Sequence, residues 1–99
     1  LTNSKIDIGD LVRLSGTFAD LNGNLLDPTA VTLSIKEPNG ATASFQYGRD
    51  AFVVRESVGC YLMDFAPSTE GLYTYRFAGT GAVTAAEEKM FYVYKRETA

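Results

Sequence analysis

Pro67-Ser68-Thr69-Glu70-Gly71-Leu72-Tyr73-Thr74-Tyr75-Arg76-Phe77 decides how this chain folds. Pro67 to Gly71 reads as a turn, and the residues after it place an aromatic ring at every second position. Successive side chains of a strand point to opposite sides. Tyr73, Tyr75 and Phe77 therefore face one way, and Thr74, Arg76 and Ala78 the other. A tyrosine just after a glycine-containing corner can return its hydroxyl to the corner while its ring fills a core. The stretch predicts a strand that enters a two-sheet core. It argues for no chemistry.

The same period runs outward in both directions. Residues Ile6 to Asp10 read as a short first strand closed by a tight turn. Leu11 to Ala19 alternates, with Val12, Leu14 and Phe18 inward; Gly16 falls on that inner row, where it relieves crowding or marks a bulge. Asp20 to Asn24 is loop, with Gly23 free to take a positive φ. Asp27-Pro28 launches a third strand that turns Val31, Leu33 and Ile35 inward. Pro38-Asn39-Gly40 is a hairpin turn into Ala41 to Tyr47, and Gly48-Arg49-Asp50 breaks the chain again.

Phe52 to Glu56 reads as a short edge strand, because Arg55 interrupts its apolar pattern. Ser57-Val58-Gly59 turns it into Cys60 to Phe65, with Tyr61, Met63 and Phe65 on one face. Gly79-Thr80-Gly81 reads as the last turn, Ala82 to Tyr94 as the final strand, and Lys95 to Ala99 as a polar tail. No window carries a helical period. Seven to eight short strands with turn signals about every ten residues predict an all-β fold, an immunoglobulin-like antiparallel β-sandwich. One domain over residues 1–99 is expected.

Composition narrows the function classes. A chain of 99 residues, 45% apolar, with six tyrosines and six phenylalanines, can bury a core and is not intrinsically disordered. The net charge of -3 is spread without a basic stripe, which leaves no electrostatic case for nucleic acid. No apolar run approaches the roughly 20 residues of a membrane-spanning helix, so no membrane partner is expected. Cys60 is the only cysteine, so no intrachain disulfide can form, and packing alone must hold the sandwich. That fits assembly in a reducing compartment. The chain opens on Leu1, which leaves room for further sequence upstream.

Candidate chemistry is thin. The chain has no histidine, which removes histidine-dependent catalysis, and Cys60 has no base to activate it. Asp20-Leu21-Asn22-Gly23-Asn24 with Asp27 imitates a calcium loop, since calcium takes six to eight oxygens. Its glycine comes too early, however: Leu25 stands where an EF-hand loop needs glycine, and Val31 where it needs a bidentate glutamate. Asp20, Asn22 and Asn24 read as Asx-turn formers that satisfy their own backbone. Glu87 and Glu88 are adjacent on a strand and point to opposite faces. No catalytic, cofactor-binding or metal residues are assigned, no cofactor is expected, and the chain is not read as an enzyme.

One row is different. If Phe91 and Val93 face inward, then Met90, Tyr92 and Tyr94 lie together on the outward face of the last strand. A lone chain rarely leaves three large residues of that kind in water. Tail or loop residues cover them, a bulge shifts the register, or they contact another chain. Tyrosine and methionine suit the last of these, because they bury area at modest entropic cost. Met90, Tyr92 and Tyr94 are the candidate protein interface.

The chain also resembles a family of small immunoglobulin-like virion proteins of tailed bacteriophages and prophages. The likeness is carried by residues 7–14 (Asp7 to Leu14), 27–33 (Asp27 to Leu33), Glu37-Pro38-Asn39-Gly40, Gly59-Cys60-Tyr61 and Glu70 to Phe77. Gly79-Thr80-Gly81, then Ala85-Ala86-Glu87-Glu88 with Phe91 and Val93, extend it over nearly the full length. The resemblance implies a head-decorating, cementing or head–tail accessory role, without catalysis or cofactor. The expected partners are other virion proteins of the capsid, connector or tail, with self-association and host-surface glycans as further contacts. The expected place is the virion, after synthesis in the host bacterial cytoplasm. Two other classes stay open: a carbohydrate- or cell-surface-binding module of a tail fibre or adhesin, and a non-catalytic domain of a larger enzyme.

Overall fold

A computed structural model describes residues 6–81 and 86–95. Among them eight strands run in the order β1 (Ile6–Asp7), β2 (Val12–Thr17), β3 (Ala30–Lys36), β4 (Thr42–Gln46), β5 (Val54–Ser57), β6 (Cys60–Phe65), β7 (Gly71–Thr80) and β8 (Ala86–Tyr94). They form one five-stranded sheet, β1-β8-β7-β3-β4, and one three-stranded sheet, β2-β6-β5. The described residues contain no helix. The fold is an immunoglobulin-like β-sandwich, antiparallel except where β1 runs parallel to β8, with Ile6 beside Val93 and Asp7 beside Tyr94.

Alternation along each strand builds the core. Leu14 and Phe18 from the β2 side, Val31, Leu33 and Ile35 of β3, Tyr61 and Met63 of β6, Tyr73 and Phe77 of β7, and Val93 of β8 are all buried. Each large apolar side chain withdrawn this way stabilises the fold by about 1.5–3 kcal/mol. Tyr73 sits at the join between the sheets. Its ring stacks on Phe91 of β8 at 5.1 Å and meets the edge of Phe65 of β6 at 5.8 Å. Its hydroxyl donates to the Thr69 carbonyl at 2.9 Å and accepts the Thr69 amide at 3.3 Å. The corner that begins at Pro67 is tied to β7 as its sequence predicts.

Two glycines explain how closely the sheets approach. A Cβ on Gly16 would stand 2.8 Å from the Phe77 ring, so the inner row of β2 has a gap that this ring occupies. Gly79 corrects the expectation of a turn at Gly79-Thr80-Gly81. The strand β7 continues to Thr80, whose carbonyl accepts the Thr29 amide at 2.7 Å. A Cβ at Gly79 would press on Pro28 at 2.7 Å and on Phe18 at 2.9 Å. Its glycine serves contact, not reversal. Gly81, with φ 95°, lies past the strand end.

Other boundaries move by a few residues. The final strand begins at Ala86 within the described residues, and residues 82–85 of the expected span lie outside them, as do 96–99 of the expected tail. The short edge strand is Val54–Ser57, and Phe52 is exposed in the turn before it. The first strand is Ile6–Asp7, and the Asp10 amide donates to the Asp7 carbonyl at 3.0 Å to close the turn behind it. Cys60 is half-buried at the start of β6.

Candidate interaction surface

The five-stranded sheet buries one face against β2 and β6, and its other face looks away from the molecule. The strands β8 and β7 lie side by side there, with Tyr92 opposite Leu72, Met90 opposite Thr74 and Glu88 opposite Arg76. Phe91 is half-buried and Val93 buried, which puts Met90, Tyr92 and Tyr94 on the outward row as the alternation predicts. Met90 is 66% exposed, Tyr92 48% and Tyr94 45%. No register shift interrupts the β7–β8 ladder, so a bulge does not hide them. The Tyr92 and Tyr94 rings lean on each other with centroids 4.9 Å apart.

Sequence reading missed one member of this surface. Leu72 is 50% exposed and stands directly across from Tyr92. The alternation that sends Tyr73 inward also sends Leu72 outward, so the signal was present in the deciding stretch itself. Together Leu72, Met90, Tyr92 and Tyr94 form an apolar strip on two central, paired strands. The β ladder already fixes the backbone beneath these side chains, so a partner that covers them has only side chains left to order.

Polar ground borders the strip. Lys36 of β3 lies in line with Thr74 and Met90, and Ser34 in line with Arg76 and Glu88. A shallow depression of about 260 Å³ opens between Lys36, Glu37, Pro38, Leu72 and Thr74. A second, of about 190 Å³, continues past Lys36 and Thr74 to Arg76 and Glu88. An apolar centre with charged groups of both signs around it has the composition of a protein–protein interface. Other exposed apolar residues, such as Leu21, Phe52 and Val58, belong to turns.

The loop that imitates a calcium site uses its oxygens on the fold. Asp20 Oδ1 accepts the amides of Asn22 at 2.9 Å and Asn24 at 3.0 Å, an Asx arrangement that closes the loop. Backbone bonds reinforce it, from the Asp20 amide to Asn24 at 2.9 Å and from the Gly23 amide to Asp20 at 3.0 Å. Asp27 is committed elsewhere. Its carboxylate accepts Arg55 Nη2 at 2.9 Å, the Gly59 amide at 2.8 Å and the Tyr61 hydroxyl at 3.0 Å. The Arg55 hydrogen bond, then the Gly59 amide, draws the Asp27 pKa down to about 2.

This four-residue tie joins the loop before β3 to β5 and β6, and nothing in the local sequence signals it. Arg55, which reads as an interruption of an apolar strand, is the cation that anchors that loop. Burial, then the bond to Asp27, pushes the Tyr61 phenol up, while its ring packs edge-on against Phe18 and Tyr47.

Neither a family model, nor a curated protein, nor a solved structure matches this chain.

Proposed function

We propose that this chain is a non-enzymatic structural protein of a tailed-phage virion, which decorates or cements the capsid or head–tail region through protein–protein contacts. The observation that carries the docking half of this reading is the exposed strip of Leu72, Met90, Tyr92 and Tyr94 on two central strands of a rigid sheet. The virion setting rests on the sequence resemblance. A small contact repeated over a particle lattice gains from multivalency, so each copy needs only a modest apolar patch. A domain held by packing without a disulfide suits assembly inside a bacterial cell.

The carbohydrate-binding reading has less behind it. It calls for aromatic rings beside free polar groups on the loops at one end of the sandwich. The Asp20 loop instead uses its carboxylate on its own backbone, and no aromatic residue lies in that loop.

The test is the protein content of purified particles. Mass spectrometry of virions produced by the phage or prophage that encodes this chain is expected to find it in many copies per particle. Complete absence from the particles would overturn the reading.

A further inference from the structure

Ion pairing sets one arginine apart. Among the described residues Arg13, Arg49 and Arg55 hold Asp64, Asp50 and Asp27 respectively, each at 2.9 Å. Arg76 makes no ion pair among them, although Glu88 stands directly across from it on β8. It rises exposed from the outward face of the five-stranded sheet, with Ser34 of β3 on its other side. Lys36, the next outward residue of β3, is also exposed and also without an ion pair among the described residues.

The ladder brings these two cations to one place. Lys36 lies opposite Thr74, two residues before Arg76, so Lys36 and Arg76 are diagonal neighbours with Cβ atoms about 7 Å apart. Both line the depression of about 190 Å³, where the hydroxyls of Ser34, Thr42 and Thr74 add further donors and Glu88 is the one carboxylate. The chain as a whole carries a net charge of -3. The outward rows of β3, β4, β7 and β8 instead hold two cations, Lys36 and Arg76, against the single anion Glu88. The apolar strip begins one row away, at Leu72 and Tyr92, about 7 Å along the strands.

We propose that Lys36 and Arg76 receive a carboxylate side chain of the partner protein, next to an apolar side chain that lies on Leu72 and Tyr92. This rests on the reading of the face as a docking surface and adds the chemistry of what docks there. The planar guanidinium takes a carboxylate through two parallel N–H donors, and the Lys36 ammonium supplies a third. A charge pair beside an apolar contact fixes register and speeds encounter. A run of phosphates fits this surface less well, because Glu88 on one side and Glu37 on the other repel it. A second copy laid face to face brings the same excess of cations. An acidic segment of a different protein complements the face.

Short peptides of random sequence, displayed on beads, are panned with the labelled wild-type chain. The enriched peptides are expected to carry Asp or Glu within a few residues of Leu, Phe or Tyr. Lys36→Gln/Arg76→Gln, folded by circular dichroism, is expected to bind the best of them about tenfold more weakly. Glutamine at position 76 sets no like charge opposite Glu88, and Arg76→Lys is expected to retain most of the binding. Enriched apolar peptides that lack an acidic residue would overturn this proposal and leave the docking face standing. Acidic peptides bound equally well by the folded double variant would overturn it too. If Tyr92→Ser/Tyr94→Ser binds the selected peptide as wild type does, the docking face itself fails, and this proposal with it. Retention by immobilised single-stranded DNA, or a dimer in analytical ultracentrifugation that Lys36→Gln/Arg76→Gln abolishes, with no acidic peptide enriched, would give the cations another occupant and overturn the proposal.

Discussion

The hydroxyl of Tyr73 lies 2.9 Å from the carbonyl oxygen of Thr69, to which it donates, and it takes the Thr69 amide in return at 3.3 Å. One side chain ties the corner to β7 while its ring fills the space between Phe65 and Phe91. Tyr73→Phe keeps the ring and deletes both of these bonds, together with the 3.0 Å hydrogen bond between the Tyr73 and Thr69 hydroxyls. The loss is expected to be about 1–2 kcal/mol, since the partly buried Thr69 groups are left short of partners. Urea unfolding checks it: the midpoint falls while the slope stays that of wild type. An unchanged midpoint would show that the corner bonds do not hold the fold.

Gly16 tests how closely the two sheets fit. An added Cβ would meet three atoms of the Phe77 side chain at 2.8–2.9 Å, and Phe77 is itself buried. Gly16→Ala is expected to destabilise by about 1–3 kcal/mol through overpacking. Combining it with Phe77→Leu is expected to cost less than the sum of the two single changes, because the smaller side chain makes room. Additive costs would place the strain elsewhere.

Acid stability follows from Asp27. Its pKa is drawn from 3.8 to about 2 by Arg55 and the Gly59 amide, so the unfolded chain binds the proton more readily than the folded one. The stabilisation is complete above the ordinary 3.8 and is lost as pH falls through about 2. Asp64, lowered by its bond to Arg13, acts in the same direction. Melting temperature measured against pH is expected to decline across this window, and Asp27→Asn to flatten the decline. A profile identical in wild type and variant would remove the Asp27 tie from the account.

The fold was legible because alternation and turn residues are local signals. Tyr73, Tyr75 and Phe77 on one side, and Val31, Leu33 and Ile35 on another strand, could be assigned to the core from period alone. The outward position of Met90, Tyr92 and Tyr94 came from the same rule, and Leu72 would have followed had it been applied one residue earlier. Long-range ties were not legible. Asp27 and Arg55 stand 28 residues apart, and each reads locally as something else, a loop oxygen and a break in a strand. Gly79 misled for a related reason. A glycine needed for contact with Pro28 looks, in sequence, like a glycine needed for a turn.

The capping turn at the β4 edge was hidden in the same way. Gly48-Arg49-Asp50 reads as a simple chain break. Its hydrogen bonds to Ser44 and Gln46 depend on which backbone groups the β3 ladder has already taken.

The central claim is that the outward face of β7 and β8 is the docking surface, and particle occupancy tests it most directly. Particles lacking the protein are incubated with wild-type chain, with a Tyr92→Ser/Tyr94→Ser variant, and with a control substitution on the exposed side of the other sheet, Ser15→Asp. Bound copies per particle are then counted by quantitative mass spectrometry. The double variant is expected to stay folded by circular dichroism and to lose most of its occupancy, while the control binds as wild type does. Wild-type occupancy by the folded double variant would contradict the account.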